Sequence, residues 1–359
     1  MIEEVKALER IGISLGLAAL LVAVCHAQAL GRGPHLVVDP SWPKPLPEHW
    51  VIGQVSGVCV DAQDNVFIVN RNDMTDKEGE IARQAPPYME FDPEGNLVNS
   101  FGDWKVVPNV THGCKIDYEN NFWTAGNGDG IIQKYSHDGK LLMQIGKRGV
   151  VDTSDGTLSG RALNSSQTQF YMPADVAIDP ANGDVYVADG YGNSRIAVFD
   201  RSGKFLRQWG HQGTKEEADA GVGGAFMRVV HCVAIGNDTL VYVCDRQSDR
   251  IQVFDRMGNF KRNIWIRRES SLPDNWGTAW WIGFSADHEQ KYMYVDDGGD
   301  EQIKILDHAS GDVLSSFGRP GHQAGAFTHA HTLAVDSKGN VYVAETDWGR
   351  RVQKFKPMR

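Results

Sequence analysis

Positive charge is what this chain has too little of. Lys and Arg number 36 against 46 Asp and Glu, a formal net charge of −10. No basic run offsets that balance, so phosphate backbones are repelled and nucleic acid is excluded as a partner. Long apolar runs are scarce as well: beyond Ile11 to Val24 no segment is long enough to cross a bilayer. Cysteine is sparse. Cys25 falls in the amino-terminal segment, leaving Cys59, Cys114, Cys232 and Cys244. An even number suits a compartment that permits disulfides, and a Cys232–Cys244 bridge is conceivable on paired strands. The expectation preferred here is four small buried residues.

What remains is an ordinary globular composition, 41% hydrophobic and 23% charged over 359 residues, enough for one large domain. Lys6 and Arg10, the apolar stretch behind them and the Ala27-x-Ala29 ending read as a secretory signal over residues 1–29. An anchor left uncleaved is the alternative. The mature chain, 30–359, is expected to be exported, periplasmic or secreted, with no stable membrane span after cleavage.

From Val55 onward one pattern recurs: alternating apolar runs, an Asp-x-x-x-Asn/Gly turn, and a close on Phe/Trp-Gly. The clearest instance runs from Met172 to Gly210, with four short runs such as Val185-Tyr186-Val187-Ala188. Period-two alternation between turn residues is the signature of strands and hairpins. Aligned on that unit, the others begin near Val55, Val110, Phe226, Ala279 and Phe327. Six four-stranded units predict an all-β fold, a six-bladed β-propeller. The last unit is one strand short after Phe355, and His35 to Val38 can supply the missing strand and close the ring. Insertions fall at Asn72 to Pro87, Gly149 to Gln169 and Arg267 to Thr278; the middle one is polar and long enough to be a lid.

One slot in the repeat carries chemistry. Just before the core of each first strand stand Ser56, His112, Ala174, His231, Ile282 and His331. The histidines occupy alternate units. First strands line the channel of a propeller, so the three rings are expected to converge on its axis, as in an open three-histidine zinc site. Fifteen residues further on, across the hairpin and back on the same rim, come Arg71 and Arg246, with Tyr191 just past the matching Asp189. Guanidiniums suit a substrate carboxylate, and a phenol beside cations suits a general base.

At these residues the chain resembles a known family. Val55-Ser56-Gly57-Val58, Asn70-Arg71, His112-Gly113, Asp189-Gly190-Tyr191-Gly192-Asn193-Ser194-Arg195-Ile196, Asp245-Arg246 and His331-Thr332-Leu333-Ala334 look like the peptidyl-α-hydroxyglycine α-amidating lyases, secreted propellers of NHL-type repeats. The resemblance implies zinc on His112, His231 and His331, a catalytic Tyr191, and essential Arg71 and Arg246. It also implies a structural calcium on the backbone oxygens of Val58 and Cys114 and on an acid where this chain has Thr332. The family's disulfide cysteine beside the catalytic tyrosine is Gly192 here. The activity implied is cleavage of a peptidyl-α-hydroxyglycine to an amide and glyoxylate, on a peptide or small-molecule substrate with a carboxylate, with a separate monooxygenase as the supplier. A zinc propeller acting on another carbinolamide or a lactone, and a non-catalytic binding propeller of the envelope, are the rival readings.

Overall fold

The computed structural model describes residues 33–47, 49–267, 269 and 276–358. The signal expected at 1–29 lies outside them, as does most of the insertion that begins at Arg267. Within them six four-stranded antiparallel sheets form, and each is one blade. In blade three, Pro173–Ile178, Val185–Asp189, Arg195–Phe199 and Phe205–Trp209 pair in that order. The middle strands are buried along their whole length and the outermost is not, because both faces of an inner strand pack on neighbouring blades. The apolar cores lie between blades accordingly. Trp123, Ala125 and Ile132 of blade two meet Val176, Val187 and Ala197 of blade three.

The first strands of the blades, Val55–Val60, Thr111–Ile116, Pro173–Ile178, Val230–Ile235, Trp281–Phe284 and Ala330–Val335, each pack on the next and form a closed inner ring. Leu36–Asp39 completes blade six by pairing antiparallel with Arg351–Pro357, as the missing strand required. The Asp-x-x-x-Asn turns hold because the carboxylate accepts the N–H four residues on, at 2.8 Å for Asp61, 2.9 Å for Asp117 and 2.8 Å for Asp336.

Five of the six inner strands carry a register shift at the slot, between Val55 and Gly57, His112 and Cys114, Pro173 and Asp175, Val230 and Val233, and Ala330 and Thr332. A bulge leaves one residue out of the ladder and re-aims its side chain. Blade five has no shift: Trp281 faces Asp296 in an unbroken register. Trp281 pairs with Asp296 as Asp175 pairs with Ala188, so the residue of blade five at slot level is Trp280, not Ile282, and Trp281 stands one residue past it. Ile282 pairs with Val295, level with Val176 and Val233, two residues past the slot.

The cysteines also depart from expectation. Two disulfides form, Cys59–Cys114 and Cys232–Cys244, with Cα separations of 5.7 and 4.9 Å. The second bridges paired strands of one blade. The first joins the inner strands of blades one and two, which belong to different sheets, so its pairing is not visible in strand periodicity. Among the described residues no helix is long and apolar enough to cross a membrane. The insertion at Asn72 to Pro87 forms a short helix, Asp76–Gly79, and a strand, Arg83–Gln84, parallel to Trp50–Val51. The insertion at Gly149 to Gln169 is anchored on blade three, where Arg195 donates to the carbonyls of Ser166 and Gln169, both at 2.8 Å.

Candidate metal centre and active site

The bulges bring His112, His231 and His331 together. Their ligand atoms lie within 4.8 Å of one another, with ring centroids 4.5 to 5.1 Å apart and all three side chains buried. Two rings are held by the blade that follows them. Nδ1 of His112 is 2.7 Å from the carbonyl of Ala174, and Nδ1 of His231 is 2.7 Å from that of Trp280. A carbonyl can only accept, so these Nδ1 atoms carry the proton and each Nε2 is left as a lone pair. Nδ1 of His331 has no such partner among the described residues. Burial is the main cause that holds all three imidazoles well below the usual histidine range; Arg71 reinforces it at His112, and Arg246 at His231. Neutral, convergent imidazoles are the form a metal takes, and the donor set fits zinc.

Tyr191 caps this cluster. Its hydroxyl is 3.0 Å from Nε2 of His231 and 3.2 Å from Nε2 of His112, and Nη1 of Arg246 donates to it at 3.3 Å. The backbone that carries it is fixed from behind: Tyr191 N donates to Met172 O, and the buried Asp189 is paired with Arg195 at 2.9 Å. Gly192 has no room for a side chain, since a Cβ there would fall 2.3 Å from the ring of Tyr171.

The two arginines stand on opposite sides. Arg71 donates from Nε to Thr111 O at 3.3 Å and from Nη1 to Gln54 Oε1 at 2.8 Å. Arg246 is buried with its guanidinium carbon 4.6 Å from the ring centre of Trp280, 5.5 Å from that of Tyr191 and 5.8 Å from that of Trp276. Stacking on aromatic faces holds a planar cation without consuming its in-plane donors. Sequence spacing missed Gln54, Trp276 and Trp280. The Trp pair comes from the lead-in of blade five, which packs beside Arg246 of blade four. Val110, Met172 and His329 each sit two residues ahead of the slot with positive φ, at 49°, 60° and 66°. For a β-branched residue such as Val110 that conformation is strained. Val58 and Cys114 lie below the histidines and line a cavity of about 380 Å³ at the far end of the channel.

Comparison with known proteins finds named relatives of this chain. The model for the NHL repeat fits residues 170–199. Over 349 residues the chain is 27% identical to peptidyl-glycine alpha-amidating monooxygenase B of Xenopus laevis, covering 92% of this chain and 37% of that protein. It is 23% identical to a probable peptidyl-alpha-hydroxyglycine alpha-amidating lyase of Caenorhabditis elegans, over 83% of this chain and 81% of that one. The chain is similar to the amidating lyases. The chain spans about a third of the length of the monooxygenase-named relatives that it matches first. Human NHL repeat-containing protein 3 is also similar, 26% identical over 89% of this chain and 84% of its own. Among solved structures, one titled as a streptogramin B lyase covers 90% of this chain with a TM-score of 0.54 at 14% identity, a likeness of fold alone.

Proposed function

We propose that the protein is a zinc-dependent lyase that cleaves the C–N bond of a peptidyl-α-hydroxyglycine-like carbinolamide, giving an amide and glyoxylate. The observation that carries this reading is the phenol of Tyr191, within 3.2 Å of two histidine Nε2 atoms and 3.3 Å from an arginine nitrogen. Lyase-named relatives along the same length support it.

His112, His231 and His331 would hold the metal, which supplies a Lewis acid for a substrate oxygen. The chain's own groups do the rest. Arg246 and Arg71 present donors from two sides to the substrate carboxylate and orient the hydroxyglycine carbon over the site. Tyr191 takes the proton of the substrate hydroxyl. The O–H electrons become the new C=O bond of glyoxylate, the C–N pair leaves on nitrogen, and the nitrogen takes a proton to become the amide. One proton is lost and one gained, so a single group that gives back what it took satisfies the balance. The two disulfides suit an exported protein, and a separate hydroxylating enzyme would supply the substrate.

The test is α-hydroxyhippurate with colorimetric detection of glyoxylate, alongside elemental analysis. The parent is expected to hold about one zinc and release glyoxylate. Tyr191→Phe should lower kcat by roughly 10²–10⁴-fold with zinc retained. Full activity in that variant sinks the assignment of the base. The similarity to NHL repeat-containing protein 3, whose name claims no catalysis, favours a binding propeller as the second reading. Absence of both zinc and glyoxylate release would favour it.

A further inference from the structure

One residue past the slot, the inner strands bring Gly57, Gly113, Asp175, Cys232 and Thr332 to the channel, and the resemblance to the amidating lyases implies a structural calcium near this depth. The residues present do not fit such an ion. Its acid is missing. Thr332 stands in that place, fully buried, and its hydroxyl has no hydrogen-bond partner among the described residues. Space is taken too. With no bulge in blade five, the buried indole of Trp281 crosses to blade two: a Cβ built on Gly113 would lie 2.7 Å from Cη2 of Trp281 and 3.1 Å from Oδ1 of Asp175.

Charge is the third misfit. Lys115 follows Cys114 and places its ammonium 5.2 Å from the centre of the Trp281 ring. On the adjoining inner strand of blade three Asp175 is fully buried. Its Oδ2 accepts from Val233 N at 3.0 Å, while Oδ1 has no partner among the described residues. Burial pushes this carboxyl up to about 7, and the opposing charge that draws it back is Lys115. One lysine and one aspartate make a neutral pair. A dication on the carbonyl of Cys114 would put two further positive charges beside an ammonium, with Asp175 as the carboxylate set against them.

The disulfide completes the substitution. Cys59–Cys114 bonds the residue after Val58 to Cys114 itself, so the two strands an ion would bridge through their carbonyls are already joined covalently.

We propose that this chain closes its propeller without calcium, with the Cys59–Cys114 disulfide tying blade one to blade two and the Lys115 ammonium, stacked on Trp281 and set against Asp175, as the channel's own cation. A cation carried on the chain needs no free ion. Stability should then be independent of calcium concentration, where a bound ion would make it concentration-dependent. The inference stands apart from the proposed reaction, because neither its residues nor its readout involve turnover.

The experiment uses the purified full chain in resin-treated, zinc-supplemented buffer, with and without millimolar calcium. Elemental analysis should find zinc but far less than one calcium per chain, and the thermal midpoint should be the same in both buffers. Lys115→Met should lose about 3 °C in each buffer alike. A retained calcium near one per chain, a parent midpoint that rises with calcium, or a Lys115→Met protein as stable as the parent would each overturn the proposal. Should that variant fail to fold, the calcium comparison on the parent still decides.

Discussion

Two levels of the same channel, one residue apart along the strands, follow opposite rules. At the slot, three histidines are buried with their nitrogens converging, beneath a phenol and between two arginines. One step down, Trp281 fills the axis against Gly113, a disulfide crosses between blades, and Asp175 faces Lys115. The upper level leaves donors and lone pairs unspent, and the lower one spends space and charge inside the chain. The bulge separates them. Where it is present, a side chain is re-aimed into the channel; where blade five lacks it, the indole fills the channel instead. The difference teaches that a propeller can keep a reactive upper level because the level below it is packed shut.

The most severe way to break the comparison is to remove a ligand from the upper level alone. His231→Ala should abolish zinc retention and activity together, since two imidazoles seldom hold the ion. The fold should persist, read as unchanged far-ultraviolet circular dichroism, because the disulfides and the Trp281 packing lie below. If His231→Ala kept stoichiometric zinc, the three histidines would not be its site.

A milder cut is Arg246→Lys, which keeps the charge and loses the fork. Arg246 is held by the faces of Trp280 and Tyr191, and an ammonium neither stacks as a plane nor donates in pairs. The expected result is a rise in KM for α-hydroxyhippurate of roughly 10-fold or more, since hydrogen bonds to charged groups contribute about 1.5–3 kcal/mol. Zinc content should be unchanged. An unaltered KM would remove Arg246 from carboxylate binding.

Much of this was legible in the sequence, and the limit has a physical cause. Strand periodicity reports pairing within a blade, so the six units, the closing strand at the amino end and the alternation of His112, His231 and His331 could be read from spacing. The fifteen-residue step to Arg71 and Arg246 also follows from hairpin geometry. Contacts between blades do not follow, because they depend on how one sheet packs on the next. The carbonyls of Ala174 and Trp280 that fix two histidines, the aromatic faces around Arg246, and the Cys59–Cys114 bridge all belong to that class. The Trp281 plug stayed hidden for another reason: aligning the units on Ile282 sets blade five two residues out of register, and the apolar run Trp280-Trp281-Ile282 reads the same either way.

A last test sharpens the lower level without touching the upper one. Asp175 titrates at 3.8 when exposed and at about 7 in the fold, so the folded chain binds this proton more tightly than the unfolded chain. Its contribution to stability is therefore greatest below pH 3.8, declines as pH rises, and is lost by the time pH has passed about 7. The slope is at most about 1.4 kcal/mol per pH unit for one group. Other groups titrate in the same window, so the quantity to measure is the difference between the parent and Asp175→Asn, an amide of the same shape with no proton to lose. Denaturant melts of both proteins between pH 4 and 7 should show the parent losing ground to the variant as pH rises. Parallel stability curves would mean that burial does not raise the Asp175 carboxyl, and the contrast between the two levels would lose its electrostatic half while keeping its steric one.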